Sequence, residues 1–187
     1  MVTQMNSIVV VKNNIDVNPF VSKLYDNWKD WNYMDDQDRI IFGHNLEQTK
    51  IVPLITIKNS FSCKVKDNDK QVSTEFLEKY SEVKDLFKSI KVKKPCRTGF
   101  VKMNPGAVIK PNVDDGNYYK TRDRYFLPLQ STYHMLIGGN LLRLDPGVLY
   151  WFNHHIPYGM VNVGNTVGIS LMFDALHNKN NPHHFIK

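Results

Sequence analysis

Short apolar runs, rich in β-branched, aromatic and aliphatic side chains, fill the second half of the chain. They cover 100–103, 107–110, 125–129, 132–137, 140–144, 148–152, 159–163 and 167–173, and Gly, Pro, Asn or Asp separates one from the next. Such punctuation predicts strands joined by tight turns. Gly138-Gly139, with a run on either side, reads as a hairpin. About eight strands result, enough for two packed sheets of the jelly-roll type.

The first half is patterned differently. Ile8-Val9-Val10-Val11 predicts a strand over 7–12. Asn18-Pro19 reads as an N-cap followed by proline in the first helical position. Phe20, Val21, Leu24, Tyr25, Trp28 and Trp31 then recur at helical spacing, which predicts a helix over 19–31 with its apolar stripe in the core. Further strands are expected at 40–42, 51–57 and 61–65, the second carrying Pro53 at a site suited to a sheet edge. From Ser73 the positions of Phe76, Leu77, Tyr80, Val83, Leu86, Phe87 and Ile90 fall on one helical face, with Glu75 in the first turn. That helix is expected to cover an outer face of the sheet.

The fold class is therefore mainly β with flanking helices (α+β) around a jelly-roll core. One domain is expected over 1–187: N-terminal strands and buttressing helices in 1–95, the β core in 96–175 and a tail in 176–187. A length of 187 residues suits one domain with a sizeable core, and 42% hydrophobic against 22% charged residues is an ordinary globular balance.

Charge adds little direction. Twenty-four basic and 18 acidic residues give a formal +6, a mild excess that serves solubility or an acidic partner. The densest basic run, 88–94, ends a helix, where the dipole favours cations. Cys63 and Cys96 lack metal-like spacing, so reduced thiols are the simpler expectation, with a disulfide left open. Neither a leader-like N-terminus nor an apolar run long enough for a bilayer is present. A cytoplasmic protein, or one packed in an assembly, is expected, with no membrane association.

Several features could carry chemistry or binding. The 118–124 link, Tyr118-Tyr119-Lys120-Thr121-Arg122-Asp123-Arg124, interleaves aromatic and basic residues that could stack on bases and meet phosphates, or rim a barrel mouth. His44 is an isolated loop histidine. The tail holds His177, His183 and His184, a tract of weak metal-binding character.

Six segments in order carry a resemblance. They are Met103-Asn104-Pro105-Gly106-Ala107-Val108-Ile109, Asn112-x-Asp114, Arg124-Tyr125-Phe126-Leu127-Pro128-Leu129-Gln130, Pro146-Gly147, Val161-Asn162-Val163-Gly164 and Ile169-Ser170-Leu171-Met172-Phe173-Asp174. Together they resemble the aspartyl/asparaginyl/prolyl hydroxylases, Fe(II)/2-oxoglutarate dioxygenases on a cupin-like double-stranded β-helix. About the last half of the chain is covered.

The resemblance implies a double-stranded β-helix in which two His and one carboxylate hold iron on one face. Laid on this chain, the family's His-x-Asp pair falls on Asn112 and Asp114, and its distal His on Tyr158. The family's arginine for the far carboxylate of 2-oxoglutarate falls on Gly168, and two inward pocket positions fall on Phe126 and Ser170. One carboxylate survives and both imidazoles are gone. A neutral amide and a phenol of pKa about 10 do not replace imidazole for ferrous iron at neutral pH, and glycine cannot pair a carboxylate as arginine does.

The expectation is a degenerate member that binds a protein or builds an assembly, with no cofactor. Similar domains are carried by bacteriophages, so a virion or host-cytoplasm setting is implied. The second reading is a divergent dioxygenase using Fe(II) and 2-oxoglutarate. His155 (or its neighbour His154), Asp115 and Tyr158 would then help Asp114 hold metal, with Arg124, or Arg122, anchoring the co-substrate. A nucleic-acid module using the 118–124 rim is the third.

Overall fold

The computed structural model describes residues 7–33, 49–57, 71–92, 94–114 and 117–177. The strands expected at 40–42 and 61–65, together with His44, Cys63, Asp115, His183 and His184, lie outside the described residues. The first half supplies β1 (Ile8–Lys12), α1 (Asn18–Asp26), a 3-10 turn (Trp28–Asn32), β2 (Thr49–Ile57), β3 (Gln71–Ser73), α2 (Glu75–Lys79) and α3 (Glu82–Ser89). Eight strands follow. They are β4 (Pro95–Met103), β5 (Val108–Asn112), β6 (Arg122–Gln130), β7 (Tyr133–Ile137), β8 (Asn140–Leu144), β9 (Leu149–Phe152), β10 (Tyr158–Asn162) and β11 (Gly168–Leu176).

The ladders define the architecture. β4 pairs with β11, β5 with β10, β6 with β9 and β7 with β8, all antiparallel. This is one long hairpin folded at its tip, Gly138-Gly139, whose φ angles of 53° and 82° suit a tight turn that only glycine enters freely. Rolling that hairpin adds the β11·β6 and β10·β7 ladders. Two facing sheets result, ordered β1-β9-β6-β11-β4-β2-β3 and β5-β10-β7-β8. The eight-stranded part is a double-stranded β-helix, a jelly roll with cupin-like order.

Alternation along the strands splits the interior into two layers. On β6 and β11, Tyr125, Leu127, Leu129, Ile169, Leu171 and Phe173 face the helices, where Leu24, Tyr80, Val83 and Phe87 cover them. The alternate residues, among them Phe126 and Met172, face the four-stranded sheet and fill the barrel with Tyr133, Met135, Phe152 and Tyr158. The helices thus buttress the large sheet as their apolar faces require. No helix among the described residues is long and apolar enough to cross a membrane.

Local details depart from the periodicity. The first helix stops at Asp26, because Asn27 turns its side-chain amide back onto the Lys23 carbonyl (2.8 Å) and a 3-10 turn follows. Asn18 lies inside the helix, its N–H donating to Asp16 Oδ1 at 3.0 Å. Tyr25 and Trp28, expected in the core, are exposed. Ser73 belongs to β3, opposite Ile55. The second helix is two, broken at Tyr80, which leaves helical geometry while its buried hydroxyl donates to Asp30 at 2.8 Å. Pro53 does sit where an edge is needed. β3 pairs only with Ile55–Ile57, and Thr74 caps the free Pro53 carbonyl at 2.6 Å.

Candidate functional site

One end of the barrel is charged although it is buried. Strand parity turns Arg122 and Arg124 of β6, Asp174 of β11 and Arg97 of β4 inward, and the loop after β5 brings Asp114 to meet them. Arg124 is the centre. Its Nε and Nη2 form a fork on Asp174 at 2.8 and 3.0 Å, and the two residues face each other across the β6·β11 ladder. Its Nη1 donates to Asp114 Oδ2 at 2.5 Å and to the Tyr158 hydroxyl at 3.2 Å. Tyr158 in turn donates to Asp114 Oδ2 at 3.0 Å.

The positions implied by the resemblance do converge. Tyr158 and Asn112 are direct cross-strand partners, and Asp114 reaches Tyr158 from two residues beyond β5. The space among the acidic and phenolic oxygens is held by a guanidinium. Burial alone lowers the pKa of Arg124, but Asp114 and Asp174 outweigh it and hold the group charged. For Asp174 burial raises the pKa, and the Arg124 charge pulls it below the usual carboxylate range.

Of the two adjacent histidines, the one beside the Asp114 carboxylate is His154 rather than His155, a correction to the expected ligand. His154 Nδ1 lies 3.6 Å from Asp114 Oδ2. Its Nε2 donates to the Arg122 carbonyl at 3.0 Å, which leaves Nδ1 a bare lone pair without a hydrogen-bond partner. Burial first, and then the Arg124 charge, push its pKa down to about 3, so the ring is neutral. His155 is half-buried and its Nδ1 meets only the Asp114 backbone carbonyl, at 3.2 Å. The backbone explains the choice: Asp114 N–H donates to the His154 carbonyl at 3.0 Å, pinning the two loops together.

These donors do not fit a ferrous site. Asp114 is engaged by Arg124, and Asn112 brings a neutral amide. Burial and Asp114 raise the Tyr158 phenol far out of reach of ionisation at neutral pH, despite the Arg124 charge. Among the described residues no three His, Cys, Asp or Glu side chains gather as metal ligands. The co-substrate positions fit no better. A Cβ on Gly168 would lie 2.5 Å from the Tyr133 hydroxyl and 2.9 Å from Asn162 Nδ2, so an arginine there has no room. Phe126 packs edge-on against Tyr133, centroids 5.3 Å apart. The Ser170 and Tyr133 hydroxyls are buried near neighbours that fall short of hydrogen-bond geometry. Arg124, the expected alternative anchor for 2-oxoglutarate, is spent on two carboxylates.

The 118–124 link is no rim for bases. Tyr118 is fully buried, with the Arg97 and Arg122 guanidinium carbons 4.1 and 4.3 Å from its ring centroid. Arg122 and Arg124 are buried with it. A base has no room to stack on Tyr118, whose ring already carries two guanidinium groups.

Sequence reasoning missed Asp174, Arg97 and Tyr133. Asp174 could have been found, since it ends the inward series Gly168, Ser170, Met172 on the last strand, where a carboxylate needs a cation. The Asn162 motif proves structural. Its side chain accepts from Ser131 Oγ and Gly164 N–H and donates to Met103, Asn104 and Thr166 carbonyls, tying the turns around β10 together.

Neither a protein-family profile nor a curated protein sequence matches the chain. Partial likenesses exist among solved structures. The cupin domain of Cnp3 from Schizosaccharomyces pombe shares 17% identity over 43% of this chain, with a TM-score of 0.38. The matched part spans 56% of that domain's length. KdgF from a Halomonas species shares 22% over 43% of this chain and 70% of its own (TM-score 0.35). A predicted oxalate decarboxylase from Thermotoga maritima shares 10% over 69% and 81% (TM-score 0.42).

Proposed function

We propose that this chain is a hydroxylase-like double-stranded β-helix that has exchanged iron and 2-oxoglutarate chemistry for an internal ion lock, and acts as a binding or assembly module. The observation that carries this reading is Arg124. Its guanidinium lies among Asp114, Asp174 and Tyr158, supplying in protein form the positive charge those oxygens need. A buried carboxylate pair without a cation costs several kcal/mol per charge by order of magnitude, so the lock is required once metal is absent.

Exposed apolar side chains on the four-stranded sheet support a role in binding. Leu136 and Leu141 are exposed and are direct cross-strand partners, and Val108 is exposed on the far edge. A virion or host-cytoplasm setting, which the resemblance implies, would suit such a module.

A second reading has one observation behind it. The bare Nδ1 of His154 beside Asp114 is half of a metal site, and if Arg124 swung away a divergent dioxygenase would have two ligands in place. Uncoupled turnover separates the readings. The module reading expects no succinate above a protein-free control from 2-oxoglutarate, Fe(II), ascorbate and oxygen. Succinate formation abolished by Asp114→Ala would establish the dioxygenase.

A further inference from the structure

Tyr25, Trp28 and Tyr33, exposed by 48%, 39% and 57%, are all the large exposed aromatics among the described residues, and they fall on one short segment. Helical periodicity assigns the first two to the core, yet only Phe20, Leu24 and Trp31 of that stripe are buried. Exposed rings are stacked here in an ordered way. Tyr25 lies on Trp28 with centroids 5.2 Å apart and planes 17° apart. Trp28 rests edge-on against the buried Trp31 at 6.1 Å, and Gln130 holds the Tyr25 hydroxyl at 2.9 Å.

Three lysines lie on the elements around this stack. Lys102 Nζ lies 4.3 Å from the Trp28 ring centroid, and it forms no ion pair with a carboxylate among the described residues. Lys50 is its direct cross-strand partner and donates to the neutral Asn32 side chain, at 3.0 Å. Like charges directly opposite on neighbouring strands are destabilising. Burial, and then Lys50, push the Lys102 pKa down. Lys29 is exposed beside Trp28. As for the acids on these elements, Asp30 is buried and committed to Lys79 and Tyr80, which leaves the exposed Asp26. An open depression of about 500 Å³ adjoins the stack, lined in part by Lys29, Tyr33, Glu75 and Lys79.

Exposed rings gain little in water, and the lysine pair costs energy. Both are explained by a ligand that offers flat aromatic faces and regularly spaced negative charge. We infer that the surface around Trp28 binds single-stranded nucleic acid, bases stacking on Tyr25 and Tyr33 while Lys29, Lys50 and Lys102 meet phosphates. A duplex hides its base faces and does not fit. The site is separate from the barrel, so the proposal stands whether or not the barrel binds metal.

The test uses the full chain and fluorescein-labelled 15-nucleotide oligothymidylate and oligouridylate, read by anisotropy across a salt series, with quenching of the intrinsic tryptophan fluorescence as a second signal. Saturable binding that weakens with salt is expected, stronger than to a duplex of equal length. Tyr25→Ala should weaken it by about tenfold. Lys50→Gln with Lys102→Gln should lower the salt slope by roughly 1.4, two phosphates at 0.7 each. Tyr25 and Lys50 are exposed and Lys102 is half-buried, and circular dichroism checks that each variant keeps the parent's fold. No binding at 50 mM salt overturns the inference, as does binding that duplex or inorganic polyphosphate matches and Tyr25→Ala leaves unchanged. Tyr25-dependent binding to vesicles containing phosphatidylserine, without binding to either oligonucleotide, overturns it in favour of a membrane surface.

Discussion

The two faces of β6 and β11 belong to the same strands yet obey different rules. Towards the helices they present Tyr125, Leu127, Leu129, Ile169, Leu171 and Phe173, an unbroken apolar layer. Towards the barrel they present Arg124, Phe126, Gly168, Ser170, Met172 and Asp174, with charge at one end and orphaned hydroxyls at the other. Folding alone explains the first face. The second keeps buried polar groups that packing does not need.

The sharpest way to break this contrast is Arg124→Ala. It leaves Asp114 and Asp174 buried without a cation and should cost about 3–5 kcal/mol, measured by urea unfolding. Partial recovery with millimolar guanidinium, at concentrations too low to denature the parent, would show that charge and shape both matter. A loss under 1 kcal/mol would mean that water reaches the carboxylates. In the helix-facing layer Leu171→Ala should cost about 2–5 kcal/mol by cavity formation alone, and guanidinium should not restore it.

The strands and the jelly-roll class were legible from the second half of the chain because turn residues and apolar runs alternate cleanly there. Helix ends were less so. Asn27 and Tyr80 stop helices through side-chain contacts with distant or preceding residues, which periodicity does not register. At the site, Asn112, Asp114 and Tyr158 lie together in the structure, as their positions in the sequence motif suggest. Their electrostatic partner was not legible, since Arg124 and Asp174 are 50 residues apart in sequence and meet only through the β6·β11 ladder. The choice of His154 over His155 was also hidden, because loop backbone bonds decide which ring turns inward.

A smaller effect should appear with pH. The His154 pKa lies at about 3 in the fold and near 6.5 in the unfolded chain. The unfolded state therefore binds the extra proton between those values, and stability is full above about pH 6.5 and falls as pH drops towards 3. The loss should reach roughly 2 kcal/mol by pH 5. In His154→Gln most of that slope should vanish in chemical denaturation between pH 7 and 5. A slope unchanged by the substitution would place a charged imidazole in the fold.

The smallest effect is expected at the other end of the barrel. Ser170→Ala removes a buried hydroxyl that has no hydrogen-bond partner, so stability should stay within about 1 kcal/mol of the parent or rise. A larger loss, read by thermal melting, would reveal a bond from Ser170 to Tyr133 or to a buried water.

The central claim is that Arg124 stands where a metal would. Anaerobic calorimetric titration of the metal-free protein with Fe(II), with and without 2-oxoglutarate, tests it most directly, with Asp114→Ala as the control. The ion lock predicts no stoichiometric heat in either protein. Stoichiometric binding to the parent that 2-oxoglutarate strengthens and Asp114→Ala removes would contradict it.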